Sequence, residues 1–139
     1  MNLPSILSSL SIAAVILTTG LATVRLEAAA PTTTATVEIW PEGKMPGSGA
    51  KDSERDMPAR TDGFKRITNI SRPSLTFLPA PQASAPAPAV IICPGGGYSY
   101  VVFDKEGTEI AAWLNTNGTS ALVLKYRTPN NRAGALQDL

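Results

Sequence analysis

Gly95, Gly96 and Gly97 stand together at the end of an apolar run, Ala89-Val-Ile-Ile-Cys93, and Tyr98 follows them. Consecutive glycines at a strand end leave backbone N–H groups unshielded by any Cβ, and such groups can hold a developing negative charge. The residue that would generate that charge is not in view. The 139 residues include no histidine, the usual base for activating a serine or a cysteine. The element that would stabilise an oxyanion is therefore legible, and the base that would create one is absent from this sequence. The triplet also has a plainer reading, a tight turn from strand to helix.

Three glycine-loop chemistries compete. A dinucleotide fingerprint needs glycine at its first, third and sixth places, and counting from Gly95 the sixth place is Tyr100. A phosphate loop needs Gly-Lys-Ser/Thr after it, and none follows; Gly47-Ser48-Gly49-Ala50-Lys51 has the wrong spacing and no strand before it. The third is an oxyanion loop of HGGG type, here with Pro94 where that motif carries histidine. Gly96, Gly97 and Tyr98 are then the backbone donors. Ser99 is not assigned as a nucleophile, because Gly97-Tyr98-Ser99-Tyr100-Val101 lacks the closing glycine of a G-x-S-x-G elbow. Cys93 reads as a small buried hydrophobe with no histidine to activate it. Asp104 and Glu106 read as helix-cap and dipole partners before catalytic acids. Tyr126 and Arg127 read as a packed strand end, with a substrate pocket as the alternative.

The elements that must position these residues follow from periodicity. Thr36-Val-Glu-Ile-Trp40 alternates as a short strand, and residues 41–63, rich in Pro, Gly and charge, read as loop. Phe64–Ile70 and Ser74–Leu78 alternate on either side of Ser71-Arg72-Pro73, which predicts neighbouring antiparallel strands at a sheet edge. Pro79, Pro81, Pro86 and Pro88 stiffen an exposed connection. The β-branched run Ala89–Cys93 predicts a strand buried on both faces of a parallel sheet. A helix is expected over 105–115, with Ile110, Trp113 and Leu114 on one face, and then a second buried strand, Ala121–Leu124. Strand, helix, strand in that order predicts a right-handed crossover. Ala133–Leu139 opens another helix, and the sheet so far would present a bare edge, so the expectation is a longer polypeptide.

The ordered series Asn69-Ile-Ser-Arg-Pro-Ser-Leu-Thr-Phe-Leu-Pro79, Ile92-Cys-Pro-Gly-Gly-Gly-Tyr-Ser99, Lys105-Glu-Gly107, Ala112-Trp-Leu-Asn115 and Leu122-Val-Leu-Lys-Tyr-Arg127 resembles secreted bacterial α/β-hydrolases. These are the esterase/lipase-like proteins near acetyl xylan and feruloyl esterases, and the resemblance covers residues 36–139. It implies an α/β fold: the N-terminal part of an α/β-hydrolase, with antiparallel first strands and then the crossover of a mostly parallel sheet. It implies serine-dependent hydrolysis of carboxylic esters, small-molecule or carbohydrate, without metal or cofactor, and Gly96, Gly97 and Tyr98 as oxyanion donors. The family carries its nucleophile elbow after the next helix and its acid and histidine later still. The expectation is accordingly that residues 1–139 supply the oxyanion loop and are inactive alone. A non-catalytic carbohydrate-binding module, which would expose an aromatic platform, and a partial polypeptide without function of its own are the alternatives.

Composition narrows the rest. Apolar residues make up 43% and charged residues 17%, which suits a globular core. Twelve basic and eleven acidic side chains form no basic stripe, so nothing points to nucleic acid. A single cysteine makes no internal disulfide, and no Cys/His cluster offers a metal site. From Met1 to Val24 there is no charged side chain, and Leu10–Leu17 forms an apolar centre followed by small-residue cleavage sites near Gly20 and Ala28. Residues 1–30 are expected to be an export signal, which makes the protein secreted or periplasmic. A retained membrane anchor through residues 3–24, or a misplaced start, is the alternative. The expected organisation is residues 1–30 as this leader, 31–63 as spacer, and 64–139 as the hydrolase portion.

Overall fold

The structure is a computed structural model that describes residues 33–81 and 88–139. The expected leader, residues 1–30, lies outside the described residues, as does 82–87, most of the proline-rich connection. Among the described residues no helix is long and apolar enough to cross a membrane. The strands are β1 Ala35–Glu38, β2 Arg55–Asp56, β3 Arg66–Thr68, β4 Ser74–Leu78, β5 Ala89–Ile92, β6 Val101–Val102 and β7 Ser120–Lys125. The helices are α1 Glu109–Thr116, entered through a π-helical turn over Asp104–Thr108, and α2 Arg132–Gln137.

Two sheets form, one four-stranded in the order β1-β4-β7-β5 and one three-stranded in the order β2-β3-β6. Strand β7 is the axis of the molecule. Successive strand residues face opposite sides of a sheet, and here Ala121 and Val123 join Ile92 and Ala111 of α1 in one core. Leu124 falls on the other side, with Ile67, Ile70, Val101, Tyr126 and Ala135. Helix α1 therefore covers one face of the larger sheet, while the smaller sheet and α2 cover part of the other.

The expected fold class is not what forms. The larger sheet is mixed: β1–β4 and β4–β7 are antiparallel, and only β5–β7 is parallel. The smaller sheet is wholly antiparallel. This is a small, strand-rich arrangement without the alternating, mostly parallel pattern of an α/β-hydrolase. The cause lies in β5. Its apolar run was expected inside a parallel sheet, yet it sits at the edge with β7 as its single neighbour, and Ile91 is 52% exposed. A continuous apolar run cannot by itself tell an edge strand from a central one.

Two further expectations are corrected. β3 and β4 are not partners; β3 pairs with β2 and β6, and β4 with β1 and β7. The chain changes sheet at Asn69, whose φ is +60°, and buries Ile70 completely as it does so. Helix α1 also faces the sheet differently from the expected Ile110–Trp113–Leu114 stripe. It buries Gly107 in the entering turn and Ala111, and leaves Trp113 66% exposed. A Cβ on Gly107 would come within 2.8 Å of Val123 Cγ1 and 3.3 Å of Pro94 Cγ. The helix approaches closely at Gly107 and Ala111; of the expected stripe Leu114 packs half-buried against that core, while Ile110 and Trp113 turn outward.

Candidate functional site

The loop after β5 turns sharply: φ is +146° at Gly96 and +60° at both Gly97 and Tyr98. Left-handed backbone is ordinary for glycine and rare for tyrosine. Position 96 requires glycine, since a Cβ there would overlap the Tyr100 carbonyl. The carbonyls of this turn are engaged. Gly95 O accepts from Val102 N (2.9 Å), Gly96 O from Ser99 N (3.1 Å) and Tyr98 O from Asn130 N (2.8 Å). The amides divide differently. Gly95 N donates to Glu106 Oε2 at 2.7 Å, whereas among the described residues no acceptor meets the N–H of Gly96, Gly97 or Tyr98. The structure thus brings the three residues expected from the sequence together, with their donors open.

A hollow of about 310 Å³ lies beside them, lined by the loop and by Leu124, Tyr126, Ala135 and Leu136. That is the low end of the roughly 300–1,000 Å³ of small-molecule sites. Tyr126 braces the loop: its buried hydroxyl donates to Pro94 O at 2.7 Å, and its ring meets Tyr98 edge-on with centroids 6.3 Å apart. The Arg132 guanidinium lies over the outer side of the Tyr98 ring, 5.8 Å from its centroid. Burial, more than the neighbouring Tyr98, Cys93 and Glu106, pushes the Tyr126 phenol above its ordinary value.

Cys93 departs from expectation. It is exposed and lines the hollow, because the edge position of β5 leaves the end of that strand uncovered. Desolvation on its inner side still pushes the thiol up, away from the reactive thiolate. Asp104 accepts from Lys65 N (2.9 Å) and Lys105 N (2.7 Å), and these bonds hold its carboxyl below the usual range against the opposing effect of desolvation. It ties the π-helical turn to the segment before β3. Glu106, expected to serve the helix dipole, instead reaches back to the glycine loop. The only signal for it in the sequence is an acidic residue at the start of the helix that follows the loop.

Arg127 stands apart from the hollow. It is 1% exposed, and its partner Asp138 is 3% exposed. Its Nε and Nη2 donate to the Asp138 carboxylate at 2.8–3.0 Å, its Nη1 to Pro46 O at 2.5 Å, and its Nη2 also to Gly134 O at 2.9 Å. Trp40 Nε1 adds a further donor to Asp138 at 2.9 Å. This is a structural junction joining the loop before β2, the end of β7 and α2. Helix α2 is capped by Asn131, whose Oδ1 accepts from Gly134 N at 2.9 Å.

No protein-family model, no curated protein and no solved structure matches the chain. Among the described residues no group of His, Cys, Asp and Glu is gathered to hold a metal.

Proposed function

We propose that Gly96, Gly97 and Tyr98 are the oxyanion-binding loop of an exported serine hydrolase acting on carboxylic esters, small-molecule or carbohydrate. One observation carries this: three consecutive backbone donors without an acceptor, on residues that line a small apolar hollow. Gly97 is exposed and Gly96 and Tyr98 are half-buried, so the three open donors are accessible from the hollow and can turn to a ligand oxygen in place of water. The left-handed Tyr98 adds to it, because backbone strain of this kind concentrates at binding and catalytic sites. In the reaction a serine attacks the ester carbonyl and the carbonyl oxygen takes up negative charge. The amides of the loop stabilise that charge without having to reorganise. These 139 residues contain no histidine, so in this reading the base is supplied from outside them. The carbohydrate-binding alternative needs an aromatic platform, and among the described residues Trp113 is the one strongly exposed aromatic.

The coding sequence past residue 139 tests this directly, and it is expected to carry G-x-S-x-G, then Asp or Glu, then His. In that longer protein, replacing the Tyr98 amide by an ester linkage removes one donor and is expected to lower kcat on p-nitrophenyl acetate about 10²–10³-fold. The 139-residue chain alone is expected to show no turnover above buffer. Turnover by that chain, or an unchanged kcat in the ester-linked protein, would refute the role.

A further inference from the structure

The glycine loop splits its donors between two uses. Gly95 N is held by Glu106 Oε2 at 2.7 Å, and a Cβ on Gly95 would run into that same oxygen. Glu106 itself is anchored: the next residue, Gly107, is wedged against Pro94 and Val123, so the backbone that presents the carboxylate has no room to slide. The next three amides have no acceptor. The rest of the hollow is lined by Cys93, Leu124, Tyr126, Ala135, Leu136 and Leu139, with no acidic or basic side chain among them; the terminal carboxylate of Leu139 is common to every variant of the 139-residue chain, so a comparison between variants isolates Glu106. Adjacent Cα atoms are about 3.8 Å apart, which puts a resident negative charge within two or three peptide units of the open donors. Its influence extends to Tyr126, the residue that braces the loop.

We infer that Glu106 is a positioning and specificity-determining residue of this site: it tethers the loop through Gly95, and its charge makes the open amides favour a neutral ester carbonyl over a free carboxylate. This rests on the loop being a carbonyl-binding element. Hydrolysis turns ester and water into an alcohol, a carboxylate and a proton, so the product left at the loop is an anion facing a fixed anion. Glu106 is exposed, so at separations of about 6–8 Å the two like charges repel by enough to weaken binding about threefold at low salt. The substrate enters neutral and the acid product is pushed out.

The test uses the ¹⁵N-labelled 139-residue chain, with two probes titrated separately: butyrate and its neutral carbonyl counterpart N,N-dimethylbutyramide. The amide shifts of Gly96, Gly97 and Tyr98 report binding. The chain is expected to bind the neutral probe more tightly. Glu106→Gln keeps an oxygen acceptor for Gly95 N and removes the charge, and at low salt it is expected to tighten butyrate about threefold while leaving the neutral probe unchanged. Glu106→Ala removes the tether and weakens both. If Glu106→Gln changes the two probes in parallel, or neither, Glu106 is a structural contact and the inference falls alone. If neither probe moves these amides in any of the three proteins, the inference and the oxyanion role fall together.

Discussion

Tyr126 braces the glycine loop and its chain neighbour Arg127 forms the junction with Asp138, yet the two regions treat polar groups in opposite ways. At the junction a charged pair is buried almost completely, and every nitrogen of the guanidinium reaches an oxygen. At the loop the carbonyls are engaged and three amides are open beside a hollow. A satisfied buried network fixes geometry and offers nothing to a ligand. A set of accessible donors without a protein acceptor in a tight turn is free to meet a ligand. Hence the fully paired region is scaffold, and the one with open donors is the candidate site.

That contrast can be broken first at the junction. Asp138→Ala leaves the Arg127 guanidinium buried without its partner and is expected to cost about 3–5 kcal/mol in urea denaturation. If the melt barely moves, the junction is not the anchor described. The loop offers a paired test. Gly96→Ala forces a Cβ into the Tyr100 carbonyl and is expected to cost about 1–3 kcal/mol or more, as overpacking does. At Gly97 a Cβ would meet nothing within 4 Å, so Gly97→Ala should lose only the preference of glycine for left-handed backbone, about 1 kcal/mol. Equal losses at the two positions would contradict the geometry of the turn.

A second ion pair sharpens the comparison at smaller effect. Arg66 Nη1 and Nη2 donate to Asp62 at 2.9 and 2.6 Å. Those bonds, with the Phe64 amide, lower the Asp62 carboxyl to about 2. A carboxyl depressed on folding stabilises above its unfolded value and loses that contribution as pH falls through its folded value. Asp62 should therefore leave stability flat from pH 7 to about 4 and contribute a decline between about 4 and 2. Asp62→Asn is expected to remove that part of the acid limb, as read from thermal melts across the range. An unchanged acid limb would mean that the pair does not persist in solution.

How much of this was legible varies from residue to residue. The glycine loop was, because a triplet of glycines at a strand end has few physical uses and its spacing eliminates two of them. The strands β4, β5 and β7 were visible from apolar runs and alternation. Their pairing was not, because periodicity describes the faces of a strand and says nothing about which strand lies beside it. Ile91 and Cys93 looked like interior residues for that reason and proved exposed. The orientation of α1 departs from its hydropathy pattern because Ile110 and Trp113 outweigh Gly107 and Ala111 in any hydropathy argument, whereas close approach to Val123 favours the smaller pair. Glu106 and Asp138 act across the fold, on partners 11 residues away in each case, and no local pattern marks them.

Because the sequence contains one cysteine and that residue opens onto the hollow, the protein carries its own attachment point for a reporter. A maleimide fluorophore placed there needs no engineered thiol and sits a few residues from the open amides. With the thiol pushed above its ordinary value, labelling calls for mildly alkaline buffer, and occupancy of the cavity can then be followed as a change in emission.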